Sequence, residues 1–142
     1  MTNTPSITWL VTHSGGFHAD ELMSSVVLTR LFPAARIVRS RAAEWITPSA
    51  NRIIYDVGGA YDAEARIFDH HQRGAPLRDD GQPLSSFGLI WRHFGRVDPR
   101  LVRQSIRAAC RSGGQWCRQR FGGWSIGGDD LAGFAGNVEA RL

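Results

Sequence analysis

ITWLVTHSGGFHADELMSSVVLTRLFP, residues 7 to 33, decides the fold. Its first six residues are apolar and partly β-branched, the composition of a short buried strand. From Asp20 the spacing changes. Leu22, Met23, Val26, Val27 and Leu31 fall three and four apart, a helical stripe with an acid at its start and Pro33 at its stop. Between strand and helix lies a polar loop holding His13, His18 and the pair Gly15 and Gly16. Strand, polar loop, helix is the opening of an α/β unit.

Outward from this stretch the same alternation continues. ARIVRS (35 to 40) reads as a second strand, RIIYDV (52 to 57) as a third and RIFDHH (66 to 71) as a fourth, with GGAYDAEA as a turn between the last two. Alternating strands and helices predict an α/β fold with a largely parallel sheet flanked by helices. After the polar loop QRGAPLRDDGQP (72 to 83), Ser85 is placed to cap a helix through SFGLIWRHFG, whose Phe87, Ile90, Trp91 and Phe94 share a face. Asp98 followed by Pro99 opens another helix, PRLVRQSIRAAC. Beyond residue 110 no period of 2 or 3.6 persists, and eight of the chain's sixteen glycines fall between Gly113 and Gly136.

The 142 residues fit one ordinary domain. No window approaches a membrane span, and the start lacks the basic and long apolar regions of a secretory signal, so the expected setting is the cytoplasm, with no membrane partner. Cys110 and Cys117 make neither a disulfide framework nor a thiolate metal site. All seventeen basic residues are arginine. Residues 1 to 98 hold ten arginines and ten acids, whereas residues 99 to 142 hold seven arginines and three acids, so the net charge of +4 arises in the tail. The front of the chain is therefore not a uniformly basic nucleic-acid binder.

Three polar clusters stand at the C-terminal ends of predicted strands: His13, His18 and Asp20 after the first, Asp56 after the third, and Asp69, His70 and His71 after the fourth. In an open α/β sheet that edge is where ligands bind. Imidazole and carboxylate together suit Mn²⁺, Fe²⁺, Co²⁺ or Zn²⁺, and the absence of thiolates argues against a structural zinc site. Five to seven candidate ligands fit two metals better than one, with a carboxylate such as Asp56 between them. Each residue also has a plainer reading. Asp20 can be a helix cap, His13 and His18 surface loop residues, and Asp56 before Gly58 and Gly59 an Asx-type turn. His70 and His71 on adjacent strand positions should point to opposite faces, which would leave one of them structural.

HSGGFHADE, DVGG, DHHQR and SSFGLIWRHFG, in that order, resemble the melanocyte-proliferating-gene family of metal-dependent hydrolases over about residues 7 to 100. That family is related to the DHH phosphoesterases, which include RecJ-type exonucleases and manganese-dependent inorganic pyrophosphatases. The resemblance implies a DHH-like α/β domain holding two divalent ions, most naturally Mn²⁺, with Mg²⁺, Co²⁺ or Zn²⁺ as alternatives. It implies His13, His18, Asp20, Asp56 and His70 as metal ligands, with Asp56 bridging. Asp69 would orient a histidine, and His71 would face the scissile phosphate. To these we add Arg73 as a guanidinium for a phosphate oxygen.

The implied activity is cleavage of phosphodiester bonds, with nucleic acid or a small phosphoester as substrate. The resemblance places the DHH-like domain at residues 1 to 102. The second domain and the further acidic ligand that related enzymes carry are not visible in residues 103 to 142. The stretch SIRAACRSGGQWCRQRFGGW has the composition of an out-of-frame reading of GC-rich DNA, and we expect a frame change between about residues 103 and 115. Two other classes follow from the same residues. One is a truncated, non-catalytic fragment that binds metal without turnover. The other is an RNA-binding module in which tail arginines contact phosphates and Trp116, Phe121 and Trp124 stack on bases.

Overall fold

The computed structural model describes residues 6–16 and 18–94. Five strands form one sheet: β1 (Trp9–Thr12), β2 (Arg36–Arg39), β3 (Arg52–Tyr55), β4 (Tyr61–Asp62) and β5 (Ile67–Phe68), in the spatial order β2-β1-β3-β5-β4. Helices α1 (Ala19–Leu31), α2 (Ala43–Ile46) and α3 (Ser86–Phe94) complete the described elements. Strand β1 pairs in parallel with both β2 and β3, β3 pairs in parallel with β5, and β4 closes the edge antiparallel to β5. The fold is α/β, with a mostly parallel sheet and helices packed against it.

Register explains how short apolar strands feed two layers at once. Leu10 stands beside Ile37 and Ile53, and Val11 beside Val38 and Ile54, so alternate positions leave opposite faces. Leu10, Ile53 and Tyr55 pack with Met23, Val27 and Leu28 of α1 and with Phe87, Leu89 and Ile90 of α3. Val11, Ile54 and Ile67 point the other way, toward Trp45 and Ile46 of α2. Strands buried on both faces have no polar alternation to show, which is why ITWLVT and RIIYDV read as continuous apolar runs.

Three local expectations need correction. The buried stripe of α1 runs through Met23, Val27 and Leu28, while Leu22, Val26 and Leu31 are only half-buried. The helix is rotated so that its acidic first turn, Asp20 and Glu21, also faces inward. Strand β5 ends at Phe68, because its ladder with β3 stops at the pair Tyr55 and Phe68, so His70 and His71 lie beyond the strand. GGAYDAEA contains strand β4 as well as a turn. The single-turn helix α2 carries too little period to be read from sequence. Helix α3 forms as expected, with the Ser85 hydroxyl accepting the Gly88 N–H at 3.1 Å. The helix opened by Pro99, the tail arginines and aromatics and the frame reading all lie outside the described residues.

Candidate metal centre

Strand β1 leads through α1 to β2 on one side, while β3 lies on its other side, so the gap between β1 and β3 is a topological switch point. His13 leaves β1 at that gap and Asp56 leaves β3 beside it. Asp56 takes a left-handed backbone conformation, φ +56°, uncommon outside glycine and recurrent where a side chain must be aimed. Gly58 follows at φ +104°, and a Cβ there would sit 2.7 Å from the Ile67 side chain. Glycine at 58 thus lets the loop lie flat on the core, and the next amide, Gly59 N–H, donates to Asp69 Oδ2 at 2.6 Å.

Asp56 is the hub. It is 3% exposed, and its two carboxylate oxygens face different imidazoles: Oδ2 is 3.3 Å from His13 Nε2, and Oδ1 is 3.4 Å from His70 Nε2. Asp20 Oδ2 stands 3.3 Å from the same His70 nitrogen. His13 Nδ1 lies 3.2 Å from the Ser14 carbonyl, and Nε2 faces the acids. A metal-ligating imidazole is held in this way. His18 is the N-cap of α1, well exposed, with its ring 5.3 Å from that of His13.

Glu21 is the residue that sequence reasoning missed. It is 1% exposed, and Oε1 accepts the His18 N–H at 2.7 Å and lies 3.4 Å from His13 Nε2. Spacing held a signal, because His18 and Glu21 are three apart and share a helix face. An acid in a first helical turn reads as a solvated cap, however. A hydroxyl thread fixes this turn to the sheet: Tyr55 O–H donates to Ser25 Oγ at 2.6 Å, and Ser25 O–H donates to the Glu21 carbonyl at 2.7 Å. Burial pushes the Tyr55 phenol up to about 12.

Asp20 caps a helix, but not its own. Its carboxylate accepts the N–H groups of Ser86 and Phe87 at the start of α3, where the helix dipole favours negative charge. Burial, reinforced by Asp56, nevertheless pushes Asp20 up to about 6. The Asp56 carboxylate holds His70 above the ordinary imidazole range more strongly than burial lowers it, and Asp20 and Asp69 add to the effect.

His70 and His71 do not diverge. Being past the strand end, they turn together, with ring centroids 4.4 Å apart. Asp69 Oδ1 accepts from His71 Nδ1 at 2.6 Å and from the His70 N–H at 2.8 Å. Burial would raise the Asp69 carboxyl, but these bonds and that from Gly59 N–H outweigh it and hold it below the usual range. Arg73 lies exposed in the following loop, and among the described residues no hydrogen bond or ion pair joins it to the cluster.

Two donor groups result, each with ligand atoms within 4.8 Å of one another: His13, His18, Glu21 and Asp56, and Asp56, Asp69, His70 and His71. Asp56 belongs to both. Glu21 Oε2 and Asp56 Oδ1 are buried with no hydrogen-bond partner. Leaving such anionic oxygens unmet is costly, and a cation removes the cost. The donor set, nitrogen and carboxylate oxygen without thiolate, fits a borderline or hard divalent ion.

The chain is 49% identical to a MYG1 protein of Schizosaccharomyces pombe over 94 residues, 61% of this chain and 28% of that protein. It is 45% identical to a MYG1 protein of Saccharomyces cerevisiae over 94 residues, 61% of this chain and 26% of that one. With the human protein named MYG1 exonuclease it shares 41% over 95 residues, 59% of this chain and 24% of that one. The chain thus spans about a quarter of the length of the curated relatives it matches. No solved structure matches it. The family model described as MYG1 exonuclease, uncharacterised protein family UPF0160, matches residues 9–109, from the first strand past the last described helix, and the chain belongs to that family.

Proposed function

We propose that this chain carries the metal-binding part of a phosphodiester hydrolase, a nuclease of the DHH phosphoesterase type with a dinuclear centre. The observation that carries the reading is Asp56, buried at the switch point with one oxygen toward His13 and the other toward His70. His13, His18 and Asp56 would hold one divalent ion, and Asp20, Asp56 and His70 the other. Mn²⁺ is the favoured metal, with Mg²⁺, Co²⁺ or Zn²⁺ able to replace it. When bound, such a pair supplies Lewis acidity, activating water and neutralising charge on a phosphoryl group.

The chain's own side chains do the rest. Asp69 fixes the His71 ring through Nδ1–H, leaving Nε2 available to a substrate phosphate oxygen. Arg73, two residues further along the same exposed loop, would serve the same phosphate as a bidentate donor. The name of the human relative, an exonuclease, points to nucleic acid as the substrate. The test is Mn²⁺-stimulated release of nucleotides from RNA and DNA, measured beside bound metal per chain, in wild type and His70→Ala. Hydrolysis lost together with metal in the variant supports the proposal, and hydrolysis unaffected by His70→Ala or by chelation overturns it.

A second reading, metal held without turnover, is favoured by the openness of the centre. His18 and His71 are 69% and 62% exposed, so among the described residues little covers the side a substrate would approach. Positioning substrate is worth several orders of magnitude in rate. Stoichiometric metal uptake with no hydrolysis of any phosphodiester would select this reading.

A further inference from the structure

Resting on the dinuclear reading above, we infer that Glu21 is a metal ligand, completing a four-donor position with His13, His18 and Asp56, so that the two positions bind with unequal affinity. The argument starts from the two oxygens of one carboxylate. Oε1 has a structural duty, accepting the His18 N–H at 2.7 Å as in a capping box. Helix capping by itself does not require the rest of the side chain to be buried. Yet Glu21 is 1% exposed, and Oε2 has no hydrogen-bond partner, with His18 Nδ1 the ion-pair neighbour at 3.8 Å.

The neighbouring atoms share the same deficit. His13 Nε2 stands between Glu21 Oε1 at 3.4 Å and Asp56 Oδ2 at 3.3 Å. Two buried carboxylates and an imidazole nitrogen converging at these distances form a donor set that one cation would bridge. The thread from Tyr55 through Ser25 to the Glu21 carbonyl keeps this turn of α1 seated on β3, so the side chain is presented from a rigid support.

The second position is built differently. Asp20 spends lone pairs on the amides of Ser86 and Phe87, and Asp69 spends its own on Gly59, His70 and His71. Donors already engaged by protein amides give less to a cation. The first position therefore carries two imidazoles and two carboxylates with spare electron pairs, and it is the tighter of the two.

Calorimetric and elemental titration of the metal-free full chain with Mn²⁺ tests this. Wild type should take up two ions in two resolved steps. Glu21→Gln keeps an acceptor for the His18 N–H but removes the charge, and should weaken the tighter step by at least about a hundredfold while the weaker one stays. Asp20→Asn should do the reverse. His18→Ala, at an exposed position that does not endanger the fold, should weaken the same step as Glu21→Gln. Wild-type binding in Glu21→Gln, or equal weakening of both steps, overturns the role given to Glu21 while leaving a dinuclear centre standing. A tight step insensitive to His18→Ala overturns the four-donor position even if Glu21→Gln proves unfolded. Failure of the wild type to bind any divalent ion removes the dinuclear reading itself.

Discussion

The two ends of the parallel strands treat polar groups in opposite ways. At the end where the strands begin, guanidinium groups donate to backbone carbonyls. Arg52 Nη1 donates to the carbonyls of Glu44, Trp45 and Thr47 at 2.6, 3.1 and 3.3 Å, and Arg66 donates to the Ala50 carbonyl. Where the strands finish, Glu21 Oε2 and Asp56 Oδ1 are buried without hydrogen-bond partners, beside imidazoles that face them at 3.4 to 3.8 Å. Hydroxyl and guanidinium atoms without partners, Arg52 Nε among them, occur elsewhere too, but among the described residues the unmet carboxylate oxygens lie at this end. Unmet carboxylate oxygens inside a protein mark the place where an ion is expected.

Asp56→Asn should break that contrast most severely. Asparagine tolerates the left-handed backbone at this position, so the fold should persist, and the metal-free melting temperature should hold or rise as buried charge is removed. Under the proposed function, phosphodiester hydrolysis should fall about a thousandfold or more, equivalent to about 4 kcal/mol of transition-state stabilisation. Activity near wild type would end the case for a shared hub.

The next largest effect is a pH dependence of the metal-free protein. Asp20 rises from 3.8 to about 6 on folding, so its contribution is fully present below about pH 4 and is lost as pH climbs through about 6, a loss of about 3 kcal/mol. His70, also raised, extends the decline above the ordinary imidazole range, while the lowered Asp69 changes stability only below about pH 4. Denaturant unfolding with chelator should therefore show stability falling from pH 4.5 to 7.5, and Mn²⁺ should stabilise far more at the upper limit. A flat metal-free profile would contradict the burial assigned to these acids.

Gly58→Ala should cost about 2 kcal/mol, because alanine meets the Ile67 side chain at a φ it rarely adopts, and thermal melts would register it. Metal affinity should drop with it, since this loop connects Asp56 to the amide that holds Asp69. Arg52→Met, at the opposite end, should lose only about 1 kcal/mol and leave metal titrations unchanged. Altered metal binding in that variant would erase the distinction between the two ends.

Much of this was legible because it is written in short periods. β-branched runs mark β1 and β3, three-and-four spacing marks α1 and α3, and the fall of polar residues just past each strand brings His13, Asp56 and His70 to one edge. The features that escaped depend on partners distant in sequence. Asp20 is buried because it serves the amides of Ser86 and Phe87, 66 and 67 positions away, which no local window contains. Glu21 is buried because the inward rotation of α1 follows from packing against β3, whereas its composition at that turn reads as solvent-facing. His70 and His71 converge because β5 runs out of ladder after Phe68, and strand ends are set by pairing rather than by the apolar run.

The clasp between Asp20 and the first turn of α3 also has a bearing on how the molecule is made. While the chain emerges from the ribosome, the strands and first helix can collapse early, but one acid of the pocket has no seat until Phe87 is free of the exit tunnel. The position that uses Asp20 can thus form only after the one built from His13, His18, Glu21 and Asp56, and a nascent chain stalled in between would expose a carboxylate in search of a partner.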